Sequence, residues 1–196
     1  MKTFLSELKT ALFLTAVLAI VLCAAYPLAV WAGAQAIFPD KANGSLLVDK
    51  DGTVRGSALL AQNFTSDNYF QPRLSAAGAG YDASSSSGSN LGPTSQKLND
   101  RIKASVAAYR ASNGLKETDP VPADAVTTSA SGLDPHISVA NAMIQSVRVA
   151  KARKLMPTEV AGLVAQHTTP RDLGVLGEPS VNVLLLNRAL DQLPTP

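Results

Sequence analysis

ALFLTAVLAIVLCAAYPLAVWAGAQAI, residues 11–37, carries no charged side chain from end to end. A helix rises about 1.5 Å per residue and a bilayer's hydrocarbon core is about 30 Å thick, so roughly 20 apolar residues cross it. The stretch is long enough with residues to spare. Pro27 inside it lacks a backbone donor, which predicts a kink or a local loosening of the helix. Tyr26 and Trp31 lie toward its far end, where amphipathic rings favour the headgroup layer. The reading is a single membrane-spanning helix. A cleaved signal peptide has an apolar core of about 7–15 residues. This run is too long for one, although Lys2 and Lys9 supply a basic start and Ala32-Gly33-Ala34 imitates a cleavage site. Leu22, not a small residue, precedes Cys23, which argues against a lipoprotein anchor. A buried core helix would have to hide an apolar surface all round inside a small domain.

Ahead of the span stand Lys2, Lys9, the amino terminus and Glu7. Behind it Asp40 and Lys41 cancel, and Asp49, Lys50 and Asp51 are net acidic. The positive-inside rule then predicts a cytoplasmic tail over residues 1–10, a transmembrane helix over 11–37 and an extracytoplasmic domain over 38–196. Of the 196 residues 46% are hydrophobic and 16% charged, enough after the span for one domain with a core but not for two. A formal net charge of +2 gives no reason to expect nucleic acid. The sole cysteine, Cys23, falls in the span, so the outer domain has no disulfide. The fold class expected is α+β: one N-terminal transmembrane helix, then a mainly helical domain with a short β-hairpin.

The hairpin is read from Leu46-Leu47-Val48 and residues 54–60, flanking Asp51-Gly52, a dipeptide suited to a tight turn with positive φ at both central residues. The same turn, Asp49-Lys50-Asp51-Gly52-Thr53, differs at one position from the DKTGT phosphorylation motif of P-type ATPases. The chain has no room for the nucleotide-binding domains that motif needs, so turn chemistry is the reading. Residues 71–94, QPRLSAAGAGYDASSSSGSNLGPT, are small and polar, and point either to a mobile loop or to a contact loop that orders against a partner. Thr94 is expected to cap a helix with Leu98, Ile102, Val106 and Tyr109 inward, ending at Asn113-Gly114. A Pro-rich linker spans 116–128. Ser138 then caps a helix with Met143, Ile144 and Val147 inward, closed by Lys151, Arg153 and Lys154. Pro157 starts another, with Val160, Leu163 and Val164 inward. Residues 174–179 form a turn. Over 179–193 the spacing of Val183, Leu186, Leu190 and Leu193 favours a helix, with a strand possible over 181–185.

No constellation carries chemistry. Gly78-Ala79-Gly80-Tyr81-Asp82-Ala83 fits the GxGxxG/A dinucleotide pattern but lacks the strand and helix that give it meaning, and no GxxxxGK[ST] phosphate loop occurs. Asp134 and His136, with His167 the only other histidine, do not make a zinc set. There is no GxSxG elbow. His136 beside a helix start reads as a polar residue bonding its turn. No catalytic, cofactor-binding or metal residue is assigned.

Four separated runs occur in a distinctive order: Tyr69-Phe70-Gln71-Pro72-Arg73-Leu74-Ser75-Ala76-Ala77-Gly78; Tyr81-Asp82 with Ser86-Ser87-Gly88-Ser89-Asn90-Leu91-Gly92-Pro93-Thr94; SASGLDPHIS over 129–138; and RDLGVLGEP with VNVLLLN over 171–187. Together with the N-terminal span, they closely resemble the C subunit of the bacterial Kdp potassium-transporting ATPase over nearly the whole chain. Leu74 and Val139 stand where that family is expected to have proline, and Ser180 where arginine is usual.

The resemblance implies a non-catalytic subunit of a high-affinity ATP-driven potassium uptake complex in the bacterial inner membrane, needed for assembly and activity. Its implied partners are an ATP-hydrolysing P-type subunit, a channel-like potassium-selecting subunit and a very small membrane subunit, besides the bilayer. It implies no directly bound cofactor; ATP enters through the catalytic subunit. Two roles are open: a cap over the outer potassium entrance, or a chaperone that raises the ATP affinity of the catalytic subunit. A membrane-anchored envelope scaffold unrelated to transport is the remaining alternative. ATP is cytoplasmic and the domain is expected outside, which favours the cap. The expected partner surface is the tract over 73–94 with the Asp134-Pro135-His136 turn, and its contact residues are Tyr69, Phe70, Arg73, Tyr81, Asn90, Leu91, Asp134 and His136.

Overall fold

A computed structural model describes residues 2–193. The amino terminus counted in the charge balance, and residues 194–196 of the expected outer domain, lie outside the described residues. The chain divides into two compact units, one ending at Ser57 and one beginning at Ala58.

In the first unit α1 (Lys2–Ile20) runs through a single π-turn (Val21–Ala25) into α2 (Tyr26–Ile37). The π-turn is the loosening expected of Pro27. That residue has no N–H for the carbonyl four residues back, and its ring crowds the preceding turn. The Tyr26 N–H instead donates to the Val21 carbonyl, five residues back. From Thr3 to Ile37 the helix is long and apolar enough to cross a membrane. Its large side chains face outward, with Phe13 71%, Leu28 62% and Trp31 62% exposed. Such a surface is costly in water and ordinary in hydrocarbon. After the short α3 (Pro39–Ala42), strands β1 (Leu46–Val48) and β2 (Val54–Ser57) pair antiparallel across a bulge.

The hairpin turn is not the two-residue type expected. Of residues 49–53 only Gly52 takes positive φ, at 83°. Gly52 N–H donates to the Asp49 carbonyl, and Asp49 N–H donates to the Thr53 carbonyl. This is a wider turn closed by a left-handed glycine, and it forms because the Asp51 carboxylate accepts the Thr53 N–H at 2.9 Å. The second strand also ends at Ser57 rather than reaching residue 60.

In the second unit α4 (Gln96–Asn113) is followed by a one-turn α5 (Ala123–Val126) inside the expected linker, then β3 (His136–Ser138), α6 (Val139–Arg153), α7 (Pro157–Gln166), β4 (Thr168–Thr169), β5 (Ser180–Asn182) and α8 (Val183–Asp191). The strands form a small antiparallel sheet in the order β3-β5-β4, with Val181 opposite both Ile137 and Thr168. Phe70, Ile137, Val149, Val160, Val164, Val181, Leu186 and Leu190 close the core between this sheet and α6 to α8.

Several boundaries move. Ser95, not Thr94, precedes α4, and Gly114 ends it in the left-handed conformation, φ 66°. Residues 179–193 are both elements: β5 takes 180–182, and Asn182 then caps α8 by accepting the Leu185 N–H at 3.1 Å. Ser138 caps α6 as expected, accepting the Asn141 N–H at 3.1 Å. The inward face of α6 differs from the expectation. Met143 is 43% and Val147 58% exposed, while Asn141, Ala142, Gln145, Ser146, Arg148, Val149 and Ala150 are buried. The face turns by about a residue because its polar side chains find backbone partners on the segment that α6 covers.

Candidate partner interface

The expected contact residues start where residues 69–71 pass between α6 and α8 with no strand to pair with. Two buried amides supply the missing partners. Asn187 on α8 accepts the Phe70 N–H and donates to the Phe70 carbonyl, both at 2.9 Å. Gln145 on α6 accepts the Gln71 N–H at 2.7 Å and donates to the Gln71 carbonyl at 3.1 Å. A carboxamide carries a donor and an acceptor side by side, so each reproduces one rung of a sheet. Arg148 completes the clasp, donating to the carbonyls of Asp67 (2.8 Å) and Tyr69 (3.1 Å) and to the side chains of Asn113 and Gln145.

Beyond this clasp the tract over 73–94 crosses residues 128–134. Ser75 Oγ is the crossing's centre: it donates to the Gly132 carbonyl at 2.6 Å and accepts from Ala77 N–H at 3.1 Å and Tyr81 N–H at 2.8 Å. One donor and two lone pairs are thus all used. Gly132 sits at φ 70°, where a Cβ would fall 2.7 Å from Ala77 N and 2.7 Å from Ser87 O, so only glycine allows the approach. Ser87 N–H and Ser86 Oγ both donate to the Ser131 carbonyl at 3.0 Å. The tract read as a loop without a conformation of its own is therefore tied down by backbone and hydroxyl bonds that composition does not reveal.

Electrostatics gather at the next turn. Arg73 Nη1 lies 3.3 Å from Asp134 Oδ2, and His136 Nδ1 lies 3.1 Å from Asp134 Oδ1, which also accepts the His136 backbone N–H at 3.0 Å. The bond from the His136 ring leads in holding the Asp134 carboxyl below its ordinary range, against the opposing effect of partial burial. Tyr81 Oη donates to the Arg73 carbonyl at 2.9 Å. Arg73, Tyr81, Asp134 and His136 thus form one surface. Asn90 is exposed at φ 49° and Leu91 half-buried, both farther along the tract. Tyr69 stands apart: its ring lies under the Arg153 guanidinium at 4.8 Å and its hydroxyl meets Asp191 at 3.2 Å. Phe70 has no exposed surface and belongs to the core.

The residues that sequence reading missed are the clamps, Asn141, Gln145, Arg148 and Asn187. The signal in the sequence is the spacing of Asn141, Gln145 and Arg148, which puts three polar side chains on one stripe of α6; Asn187 on α8 has no such pattern. A cleft between α4 and α6 reaches Tyr109, Asn141 and Gln145. Their polar atoms answer one another: Tyr109 Oη donates to Asn141 Oδ1 at 2.8 Å and Gln145 Nε2 donates to it at 2.9 Å. Burial, and secondarily the Asp124 charge, push the Tyr109 phenol above its ordinary value, so it acts as a neutral donor. Among the described residues no group of three His, Cys, Asp or Glu side chains is placed to hold a metal. The arrangement braces a surface; it does not assemble reacting groups.

Residues 8–192 match the family model KdpC, described as K+-transporting ATPase, c chain. The chain is 53% identical over 193 residues to the potassium-transporting ATPase KdpC subunit of Rhodospirillum rubrum, covering 96% of each chain. It is 52% identical over 187 residues to that of Mycobacterium tuberculosis H37Rv, covering 95% of this chain and 98% of the relative. It is 54% identical over 188 residues to that of Caulobacter vibrioides, covering 95% and 93%.

Proposed function

Since the chain belongs to the KdpC family, the c chain of the K+-transporting ATPase, we propose that it acts as an accessory, non-catalytic subunit that stabilises the complex and caps the outer potassium entrance. In this reading residues 1–10 are cytoplasmic, 11–37 cross the bacterial inner membrane once, and 38–196 lie outside. One observation carries it. A helix able to cross a membrane is joined to a domain whose prominent polar side chains, Ser75, Tyr81, Asp134, Gln145 and Arg148, are committed to its own chain. A domain so built offers a shape rather than a reaction. The capping surface is Arg73, Tyr81, Asn90, Leu91, Asp134 and His136, seated on the channel-like potassium-selecting subunit. Phe70 supports this surface from the core.

The test is purification of the full chain through a C-terminal tag in mild detergent. Stoichiometric recovery with the ATP-hydrolysing and potassium-selecting subunits is expected; a monodisperse lone protein overturns the reading. Orientation is read with Cys23→Ala and Ser86→Cys, which an impermeant thiol reagent should label in intact spheroplasts. Asn90→Gly, at an exposed position whose backbone suits glycine, should lower potassium-stimulated ATPase activity while the melting temperature stays. Saturable labelling of the chain by a nucleotide photoprobe, blocked by excess ATP, would instead favour the chaperone role.

A further inference from the structure

Where the chain leaves the membrane-length helix it changes course, and each step of the change is bonded. Pro39 biases Phe38 out of the helical region, to φ −135°, so α2 stops and α3 begins afresh. Gly44 and Ser45 then take left-handed φ values of 88° and 49° ahead of β1. Across this elbow two side-chain amides pair face to face. Gln35 Nε2 donates to Asn43 Oδ1 and Asn43 Nδ2 donates to Gln35 Oε1, both at 3.2 Å. The other Asn43 Nδ2–H goes to the Pro39 carbonyl at 2.8 Å. The hairpin side is tied as closely. Ser45 N–H donates to the Asp40 carbonyl at 2.9 Å, and Ser57 Oγ, at the end of β2, donates to the Gly44 carbonyl at 2.7 Å.

We propose that the Gln35–Asn43 amide pair is a lock that joins the membrane-spanning helix and the β1–β2 hairpin into one lever, so that a tilt or rotation of the helix reappears at the hairpin tip. Gln35 and Asn43 are its positioning residues. The proposal rests on the accessory-subunit reading, with residues 11–37 as its span. Three features carry it. Gln35 is the only carboxamide in the uncharged stretch over 11–37, and it stands in the last turn of α2, where Asn43 meets it. Two opposed hydrogen bonds close a ring, which resists the swivelling that a single bond allows. The α3 segment between them is one turn long, too short to hold a helix by itself, so the elbow depends on the pair. At the edge of a bilayer such bonds also meet less competition from water than on a soluble surface.

The test uses the full chain in lipid nanodiscs, spin-labelled on Cys23, its sole cysteine, and on Lys50→Cys at the hairpin tip. The otherwise unchanged chain should give one narrow distance distribution. Gln35→Glu keeps size and shape but, ionised at about pH 7.5, sets a carboxylate oxygen against Asn43 Oδ1, and the distribution should broaden. At about pH 4 the protonated carboxyl again offers an O–H and a C=O, so the narrow distribution should return. Asp40 and Lys41 on α3, and Asp49, Asp51 and Arg55 on the hairpin, are common to both chains, and the Gln35 chain measured at the same acid pH accounts for them. Equal widths at neutral pH, or a variant that stays broad in acid, overturn the lock. The lever is read with the other ATPase subunits co-expressed. Gln35→Glu should then lose potassium-stimulated ATPase activity while its recovery with them holds; unchanged activity, or a fall that only mirrors poorer recovery, overturns the lever. Recovery of the wild-type chain without other subunits overturns the accessory-subunit reading instead, whereas the distances test the lock by themselves.

Discussion

Two loops of the second unit are opposite in composition and opposite in fate. Residues 71–94 are serine- and glycine-rich with few large apolar groups, yet they are threaded into the fold through Gln145, Ser75, Gly132 and Ser131. Residues 170–179 carry two leucines and a valine, yet every residue there is exposed. Between these two loops, attachment to the rest of the unit follows which backbone and hydroxyl groups find partners there, not which side chains are apolar. A buried carbonyl or N–H without a partner costs about 1–3 kcal/mol, comparable to what a leucine gains by burial.

The contrast breaks most sharply at the clamps. Asn187→Ala removes both partners of the Phe70 backbone inside the core and should cost about 3 kcal/mol, seen as a lowered urea midpoint of the full chain in detergent. Ser75→Ala strips three bonds from a half-buried crossing and should cost about 2 kcal/mol by the same measurement. Asp134→Asn is smaller, about 0.5 kcal/mol at neutral pH, because the carboxylate is partly exposed. Its sign with pH is fixed. Asp134 is held below the usual carboxylate range, so its contribution is complete above about pH 4 and is lost as pH falls through the lowered value. The gap between wild type and Asp134→Asn should therefore close on acidification. Leu173→Gly should be near zero: relief of the left-handed strain offsets the added freedom of the unfolded chain. A loss above about 1 kcal/mol there would mean that the exposed loop, like the polar one, is part of its own fold.

The long helix, the Pro27 loosening, the Ser138 cap and the inward face of α7 were legible because each is local: hydrophobic period, a missing donor, a capping side chain. Val160 and Val164 are buried as their spacing predicts. The small sheet was not legible, since β4 has two residues and β3 and β5 three each, too short for alternation to register. The α6 face was misread for a nonlocal reason. Met143 and Val147 look like core in a helical wheel, and only Gln71, seventy-four residues before Gln145, explains why the helix turns Gln145 inward instead. Of the expected surface, the Asp134–His136 contact was visible in two neighbouring residues, whereas the place of Arg73 and Tyr81 beside it depended on the crossing at Ser75 and Gly132. The burial of Phe70, expected in that set, goes with a partner of its backbone, Asn187, that no local pattern links to it.

The π-turn at Val21–Ala25 also resets the phase of the membrane-length helix. One additional residue in a turn rotates everything beyond it by about 100° relative to an uninterrupted helix. Side chains that would align at a separation of seven residues align at eight when the interval includes the turn, so Leu18 shares its stripe with Tyr26 rather than with Ala25. A neighbouring straight helix lying along the whole length would meet one stripe beside α1 and a different one beside α2. Lateral contacts of the two halves are thereby decoupled: residues before Val21 and after Ala25 can be varied against separate neighbours, and a single helical wheel drawn through both would assign half of them to the wrong side.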